Sequence, residues 1–326
     1  MRSATVIVPT LAGGERLRRC LDSLAAQTVA HEVIVVDNGS SGDAVSRVCD
    51  GRPRVEVLRL DTNSGFSRAV NVGARRASGD AIVLVNDDCL CDPGFVESIA
   101  GALDPARGVV MAAGWMRDGD DPGLIDTAGV ELDHTLLGFD YLNGCPAAAL
   151  DAGADDPIAP SGTAAAYDRE AFLAVDGFDE RLFAYWEDVD LGLRLWRAGG
   201  RCVLAPAARG THEHSATLGA GSVRKNYLMG FGRGYVLRKW GVMRSPGRVA
   251  AVLARDSVLC AGQLVHDRNA AGLRGRLRGY RAAVHSERYP DEIGLGRRSR
   301  GGLISTLRRH GRRRARLRRA SRARVG

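Results

Sequence analysis

The first hundred residues alternate between short apolar runs and stretches in which apolar residues recur at helical spacing. The runs are rich in β-branched residues and too short for buried helices, so they predict buried strands. The predicted strands are Ala4–Val8, Val33–Val36, Val55–Leu60 and Ala81–Val85. The helical spacing predicts helices around Leu17–Leu24, Phe66–Ala77 and Pro93–Leu103. Together they predict an α/β fold with a mostly parallel central sheet flanked by helices.

Polar residues follow each of the four predicted strands. They are Pro9-Thr10, Asp37-Asn38, Asp61-Thr62-Asn63 and Asn86-Asp87-Asp88. Ligands of such sheets bind at the carboxyl ends of the strands, so we expect a site there. No G-x-G-x-x-G or G-K-[ST] motif follows the first strand, which disfavours a dinucleotide-dependent oxidoreductase and a P-loop nucleotidase.

The second half of the chain is less regular. Residues 114–160 are rich in acidic residues, Gly and Pro, and predict loops with short strands. Helical spacing returns after Glu187 and ends at Gly199-Gly200, and Cys202–Leu204 predicts another strand. Residues 222–289 have a helical pattern, in which the glycines of Gly230–Gly234 indicate a loop or a helix break.

Three carboxylates lie within four residues at the start of the helix predicted after Trp186. They are Glu187, Asp188 and Asp190. The simplest interpretation is an acidic first turn that interacts favourably with the helix dipole. A cluster of this kind also suits a cation site or a proton-transfer role. Two histidines, His212 and His214, follow the next predicted strand and are candidate metal ligands, although solvated rings are the simpler explanation.

The charge is distributed unevenly along the 326 residues. The net charge is +8, but residues 297–326 contain 13 Arg and no Asp or Glu. Residues 1–296 therefore have 33 Lys and Arg against 38 Asp and Glu, a net charge of −5. The basic character belongs to this terminal segment, which we expect to be disordered or to become helical only on an anionic surface.

Cysteine usage and apolar runs indicate the compartment. The seven cysteines form no C-x-x-C pair, so we expect reduced thiols. No run of 18 apolar residues exists, and Arg255-Asp256 interrupts the best candidate, so no transmembrane helix is predicted. The apolar run at the N-terminus is too short for a signal peptide. The expected location is the cytoplasm, and a peripheral position on the inner face of the membrane is compatible with it.

Four stretches in order resemble the family 2 inverting glycosyltransferases of the GT-A fold, and are most similar to the bacterial branch that includes rhamnosyltransferases. They are Val6–Thr10, Val33–Ser40, Asn63–Asp88 with its Asn71-Val72-Gly73, and Gly177–Arg194. The resemblance covers roughly residues 4–240. It implies the GT-A nucleotide-diphospho-sugar transferase fold with a C-terminal helical extension.

The resemblance implies a nucleotide-sugar donor bound at the strand ends. The residues that it assigns to this donor are Pro9, Thr10, Asp37, Asn63, Asn71, Asn86 and Asp87. Asn86-Asp87-Asp88 occupies the D-x-D position, at which a carboxylate binds the divalent cation on the diphosphate. Asp88 is the expected ligand because Asn replaces the first acid, and His212 is the expected second ligand, with His214 as its rival. Oxygen ligands favour Mg²⁺ or Mn²⁺, and one imidazole favours Mn²⁺.

The resemblance also implies the catalytic base. An acceptor hydroxyl is a poor nucleophile, so a carboxylate must take its proton as it attacks. Asp188 is the expected base in a single displacement with inversion, and Glu187 is expected to support it. Gly162 and Trp186 are expected on the acceptor side.

This interpretation divides the chain into three parts. Residues 1–220 form the catalytic domain, with a nucleotide-sugar half (1–113) and an acceptor half (114–220). Residues 221–296 form a helical extension and 297–326 the Arg-rich tail. The first donor to consider is dTDP-rhamnose, followed by UDP-galactose, UDP-glucose and GDP-mannose. A glycan, a glycolipid or a small molecule would serve as acceptor.

Two other classes of protein use parts of this pattern. A nucleotidyltransferase also has a parallel sheet and acidic metal sites, but normally carries a basic glycine-rich loop that Leu11–Arg16 mimics weakly. A nucleic-acid-binding protein would use the Arg-rich tail for phosphates. That tail has no interleaved aromatic residues for stacking on bases, so we expect no specific nucleic acid and favour an anionic lipid surface as its partner.

Overall fold

The computed structural model describes residues 2–150, 153–213 and 221–286. Eleven strands lie in these ranges: β1 (Ala4–Thr10), β2 (Glu32–Asn38), β3 (Val55–Leu60), β4 (Ala81–Val85), β5 (Cys89–Cys91), β6 (Val109–Asp118), β7 (Ile125–Thr127), β8 (Val130–Leu132), β9 (Gly138–Asp140), β10 (Ala164–Asp168) and β11 (Arg201–His212). The α-helices there are α1 (Glu15–Ala25), α2 (Ala44–Cys49), α3 (Phe66–Arg76), α4 (Phe95–Gly101), α5 (Arg169–Ala174), α6 (Glu187–Arg197), α7 (Val223–Lys239), α8 (Pro246–Gly262) and α9 (Ala271–Ala282).

Shorter helical turns lie between these elements. The 3₁₀ turns are Pro105–Arg107, Ala147–Ala149, Val242–Arg244 and Ala283–His285, and a π-helical turn, Gln263–Asp267, continues α8. All seven cysteines of the sequence lie in the described ranges, and none of them forms a disulfide.

One mixed sheet organises the fold, in the order β3-β2-β1-β4-β10-β6-β11-β5, with β7 paired to β6. Strands β1 to β4 are parallel. Strand β10 is antiparallel to both β4 and β6. Strand β11 is parallel to β6 and antiparallel to β5. Strands β8 and β9 form a separate hairpin. The predicted mostly parallel sheet is confirmed for its first half, while β10 introduces antiparallel pairing at its centre.

The sheet has an apolar core on each of its two faces. Along β1, Val6 and Val8 pack into the core under α1 and α4, whereas Ile7 packs into the core on the opposite side, which also contains residues of α3, α5 and α6. Alternate side chains of a strand point to opposite faces, so an unbroken apolar run supplies both cores.

The structure confirms β3 and β4 at their predicted bounds and adds elements that the pattern does not predict. Helix α2 has only six residues. Strand β6 continues to Asp118 and includes the first five residues of the region predicted as loops with short strands, because it pairs with both β10 and β11. The alanines of β10 have high helix propensity, but they lie fully buried between two strands, and tertiary pairing overrides that propensity.

The interpretation of Gly230–Gly234 as a loop or helix break is wrong, because these residues lie inside α7. A Cβ atom on Gly230 would lie 2.1 Å from the carbonyl oxygen of Gly272 in α9. A Cβ atom on Gly234 would lie 2.0 Å from the carbonyl oxygen of Arg276. The glycines therefore permit direct backbone contact between α7 and α9.

One helix of the described residues, Pro246–Asp267, is long and apolar enough to cross a membrane, by length and composition only. Its central ionic residues are bound to the rest of the protein, since Arg255 lies 2.7 Å from Asp133 and Asp256 lies 3.2 Å from Arg233. The predicted division at residues 220 and 221 and the structure of the Arg-rich tail stay predictions, because the described ranges do not include residues 214–220 or 287–326.

Candidate active site

Two predicted metal ligands meet at the end of β11. His212 pairs with Cys89 in the antiparallel ladder between β11 and β5, next to Asp88 in the chain. This register brings the His212 Nε2 atom to 3.3 Å from Asp88 Oδ1. Asp88 is buried, and His212 is largely buried. The rival ligand His214 lies outside the described residues.

A third residue completes this arrangement. Asp126, in β7, places its Oδ2 atom 2.8 Å from His212 Nδ1. Burial alone would lower the pKa of His212, but the hydrogen bonds to Asp126 and Asp88 outweigh it and raise the pKa to about 10. The sequence analysis does not identify Asp126. The only signal is one acid between apolar residues in an acid-rich region, and strand pairing alone brings it to His212.

The donor set fits a hard divalent cation. Asp88, Cys89 and His212 offer ligand atoms within 4.8 Å of one another. Burial raises the pKa of the Cys89 thiol well above its usual range, so this group is neutral and is a poor ligand for Mg²⁺ or Mn²⁺. The pair that suits such an ion is the Asp88 carboxylate and the Nε2 atom of His212, whose Nδ1 atom is held by Asp126.

The predicted donor residues of β1 and β2 lie at the ends of these neighbouring strands. Thr10 donates a hydrogen bond of 2.6 Å to Asp87 and so joins the end of β1 to the D-x-D position. Burial raises the pKa of Asp87, although this bond opposes the shift. Pro9 precedes Thr10 and pairs with Val36 of β2. These contacts place the two predicted donor segments next to each other.

Asp37 is fully buried, and both of its oxygens accept hydrogen bonds from Ser40, one from the backbone N–H and one from the hydroxyl. The carboxylate thus fixes the turn after β2. Arg59 approaches the same carboxylate at 3.6 Å. Asn63 is exposed, and its side-chain oxygen accepts a hydrogen bond from the Gly65 backbone at the start of α3.

Asn71, one of the predicted donor residues, makes its hydrogen bonds within the protein. Its side chain donates to the carbonyl of Phe178 and accepts from the N–H of Phe178, each at 2.8 Å. Asn71 is buried and connects α3 to the turn before the acidic cluster. Asn86, in contrast, contacts the acceptor half, since its amide lies 3.4 Å from the Thr163 hydroxyl.

The segment before the acidic helix has an unusual backbone. Tyr185 and Trp186 have φ angles of 71° and 74°, in the left-handed region that non-glycine residues rarely adopt. Strain of this kind persists only where the surroundings hold it, and it is frequent at functional sites. Trp186, which is expected on the acceptor side, is buried in the core that α6 and α7 share and supports this segment from there.

Helix α7 covers the aromatic residues of this segment with cations. Each cationic group lies 5.4–5.7 Å from a ring centroid, within the range of a cation–π contact. The pairs are Arg224 with Phe183, Lys225 with Tyr185 and Arg233 with Trp186. The C-terminal helices therefore help to hold the acidic cluster in place.

Glu187 and Asp188 have unlike environments. Glu187 is buried, and its Oε2 atom receives no hydrogen bond from the described residues. Burial and the Asp188 charge raise the pKa of Glu187 well above its ordinary value. Asp188 is partly exposed and accepts hydrogen bonds from the backbone N–H groups of Val189 and Gly162. Burial raises the pKa of Asp188 to about 6, so near neutral pH Asp188 is the ionised member of the pair.

The third acid of the cluster is structural. Asp190 is fully buried and accepts hydrogen bonds from Arg194 at 2.9 Å, Lys239 at 2.8 Å and the Trp240 indole at 3.0 Å. Asp190 thus pairs with Arg194 one turn along the same helix. The bonds to Lys239 and Trp240 also connect α6 to the end of α7.

Asp140 is a further acid that the sequence analysis does not identify. It is exposed at the end of β9. Partial desolvation of its carboxyl, with the charges of Asp126 and Asp188 nearby, raises its pKa to about 7. The His212 and Lys225 charges oppose this shift. Asp140 is therefore close enough to interact electrostatically with Asp126 and His212 of the candidate metal site and with the candidate base Asp188.

Comparison with known protein families identifies the family of the chain. Residues 5–172, more than half of the chain, match the family described as Glycosyl transferase family 2. The chain belongs to this glycosyltransferase family. Residues 124–262 also match Glycosyl transferase family group 2, so the matched region includes α7 and α8. The chain is a glycosyltransferase, and the nucleotidyltransferase and nucleic-acid-binding alternatives gain no support.

Curated relatives include rhamnosyltransferases. An N-acetylglucosaminyl-diphospho-decaprenol L-rhamnosyltransferase of Mycobacterium tuberculosis is 31% identical over 245 residues, covering 66% of this chain and 77% of that protein. A pre-mycofactocin glycosyltransferase of the same species is 29% identical over 243 residues, covering 70% of this chain and 46% of that protein. The predicted similarity to rhamnosyltransferases within the family is confirmed.

Solved structures with the same fold are glycosyltransferases. GalNAc-T7 in complex with UDP, GalNAc and Mn²⁺ superposes with a TM-score of 0.59 at 16% identity, over 79% of this chain and 51% of that chain. A mannosyltransferase of Pyrobaculum calidifontis in complex with GDP-Man and Mn²⁺ gives 0.52 at 17% identity, over 86% and 85%. The predicted GT-A fold is confirmed.

Proposed function

We propose that this glycosyltransferase moves a sugar from a nucleotide-diphosphate donor to an acceptor hydroxyl with inversion, and that Asp188 is the general base. The observation that carries the proposal is the contrast within the acidic pair. Glu187 is buried, and burial with the Asp188 charge raises its pKa well above the ordinary value, whereas Asp188, with a pKa of about 6, is partly exposed and held by backbone N–H groups. A base must be ionised and reachable, and Asp188 meets both conditions.

Asp188 would take the proton of the acceptor hydroxyl as that oxygen attacks the anomeric carbon. The bond from this carbon to the diphosphate oxygen breaks as the new bond forms on the opposite face, which inverts the centre. The Gly162 N–H orients the Asp188 carboxylate. The next residue, Thr163, contacts Asn86 on the donor side. The base therefore lies next to the segment proposed to bind the donor, as a direct displacement requires.

The proposed cation is Mn²⁺ or Mg²⁺, held by Asp88 and His212. When bound, such an ion neutralises charge that develops on the diphosphate leaving group. Asp126 keeps the His212 ring in the orientation in which Nε2 faces Asp88. Two of the solved structures that share the fold contain Mn²⁺, which supports the choice of a divalent cation.

The proposed first donor is dTDP-rhamnose, supported by the similarity to the mycobacterial L-rhamnosyltransferase. UDP-hexoses and GDP-mannose are the next donors to test. The name of the same relative describes a diphospho-decaprenol acceptor, so a lipid-linked glycan is the first acceptor class to test. Thr10, Asp37, Asn86 and Asp87, at the strand ends, are the proposed contacts of the donor.

A thermal-shift screen with dTDP, UDP and GDP, each with and without Mn²⁺, tests the donor and the cation together. We expect one nucleotide to stabilise the protein, and to do so only with Mn²⁺. Transfer from the matching nucleotide sugar, followed by NMR of the anomeric product, tests inversion. Stabilisation by nucleotide in EDTA would contradict the cation site, and a product with retained configuration would contradict direct displacement.

A further inference from the structure

The outward face of α8, together with the π-helical turn that continues it, is largely apolar. Its exposed apolar positions recur at spacings of three and four residues, which places them along one stripe. The members are Ala250, Leu253, Ala254, Val258, Ala261, Leu264 and Val265, with Ser257 as the polar exception. The four large side chains among them, Leu253, Val258, Leu264 and Val265, are 49–69% exposed. We call these eight residues the α8 stripe.

The opposite face of α8 is fixed to the catalytic body. Val252 is buried in the core that contains Trp186. Asp256 lies 3.2 Å from Arg233 and 3.7 Å from Arg276, and Arg255 lies 2.7 Å from Asp133. These contacts set the rotation of the helix, so the stripe faces away from the protein. Moving α8 into a bilayer as a span would break the ion pairs and leave Arg233 buried without its carboxylate.

Positive charge surrounds the stripe. Exposed Arg244 and half-buried Arg248 lie at one end, and exposed Arg268 lies at the other. Between Pro246 and Ser286 there are seven arginines and only two aspartates. Both aspartates are bound within the protein, Asp256 to Arg233 and Asp267 to Asn226. The exposed surface of this region therefore combines apolar side chains with an excess of arginines over acidic residues.

Helix α9 repeats the composition. Its exposed residues alternate between apolar and basic types: Leu273, Arg274, Leu277, Arg278, Tyr280 and Arg281. Described residues end at Ser286, and 11 residues later the sequence begins the segment with 13 arginines and no acid. Residues 287–296, between these two regions, contain Glu287, Asp291 and Glu292 against one arginine, so the basic surface of α8 and α9 is separate in the sequence from the Arg-rich tail.

We propose that the α8 stripe docks on an anionic lipid surface, with the helix lying along the membrane. An amphipathic helix of this kind buries its apolar face at the level of the headgroups, and surrounding arginines attract anionic lipids. A second copy of the chain fits the surface less well, because joining two such faces would bring their arginines together. The proposal does not depend on the donor or acceptor of the enzyme.

Co-sedimentation of the full chain with vesicles tests the proposal. The vesicles are phosphatidylcholine alone or phosphatidylcholine with 30% phosphatidylglycerol. We expect binding to the anionic vesicles and at least tenfold weaker partitioning of the variant Leu253→Gln/Val258→Gln/Leu264→Gln/Val265→Gln. The matched control, Leu253→Met/Val258→Ile/Leu264→Met/Val265→Ile, keeps the stripe apolar and should bind as the native chain does. Circular dichroism checks that all three proteins are folded.

Three results would overturn the proposal. The first is equal partitioning of the glutamine variant and the native chain. The second is loss of binding on removal of residues 297–326 while the glutamine variant still binds, which would assign the contact to the tail alone. The third is a native dimer, measured by light scattering, that the glutamine variant dissociates while neither protein binds vesicles.

Discussion

The Nδ1 atom of His212 lies 2.8 Å from the Asp126 carboxylate, although 85 residues separate them in the chain. This contact leaves the Nε2 atom of His212 facing Asp88, so only one ring nitrogen is directed to the proposed cation. Outer partners of this kind fix the tautomer and orientation of a metal-binding histidine. Asp126 is therefore a positioning residue of the proposed cation site.

Replacing Asp126 by Asn should weaken Mn²⁺ binding by about 10–100-fold, because the ring loses its charged partner. Isothermal titration with Mn²⁺ measures the effect without any sugar substrate. Asp120→Asn is the matched control, since it removes one exposed carboxylate from the nearby loop and should leave Mn²⁺ affinity unchanged. Equal affinities of the two variants would rule out the positioning role.

The two acids at the start of α6 should respond differently to amide substitution. Asp188→Asn removes the ionised base and should lower kcat by about 10³-fold, with nucleotide binding retained. Glu187→Gln replaces a buried carboxyl whose pKa is raised well above its ordinary value by burial and the Asp188 charge, and should lower kcat by less than about tenfold. Initial rates of sugar transfer and thermal shifts with nucleotide measure both quantities. A larger loss of kcat in Glu187→Gln than in Asp188→Asn would reverse the assignment.

Transfer should decline in mild acid. Asp188 acts when ionised, and its pKa is raised to about 6, so kcat/KM should be constant above pH 7 and fall through pH 6 as the carboxylate is protonated. Asp140, whose pKa is about 7, offers a control. In Asp140→Asn the midpoint of the acid limb should remain near pH 6. A limb that disappears in this variant would assign the titration to Asp140 instead.

The strand ends illustrate what could be predicted from the sequence. Val33–Val36 and the Asp37 that follows it are contiguous, so a local pattern contains both the strand and the position of its polar end. The same holds for Asn86-Asp87-Asp88 after β4. The oxygen-bearing side chains at these strand ends and the acidic pair are consistent with the glycosyltransferase family that the comparison shows. The roles of individual residues come from the family resemblance and stay predictions.

Contacts made by distant pairing could not be predicted in this way. Asp126 reaches His212 only because β7 and β11 both pair with β6. Asn71 has the expected location on α3, but its amide is used by Phe178, 107 residues away. Glycines in α7 are helix breakers by propensity, and only the presence of α9 explains them. Local periodicity carries no information on such partners.

The contact between α7 and α9 predicts opposite effects for two identical substitutions. In Gly234→Ala the new Cβ would lie 2.0 Å from the Arg276 carbonyl oxygen, so the helices must separate, and we expect a loss of about 1–3 kcal/mol or more in the free energy of unfolding. Gly262→Ala is the matched control. Gly262 has φ −58° and no atom within 4 Å of a new Cβ, so this change should stabilise the protein by about 0.4–1 kcal/mol. Urea unfolding compares both variants with the native chain, and a Gly234→Ala variant as stable as Gly262→Ala would show that the two helices do not pack through their backbones.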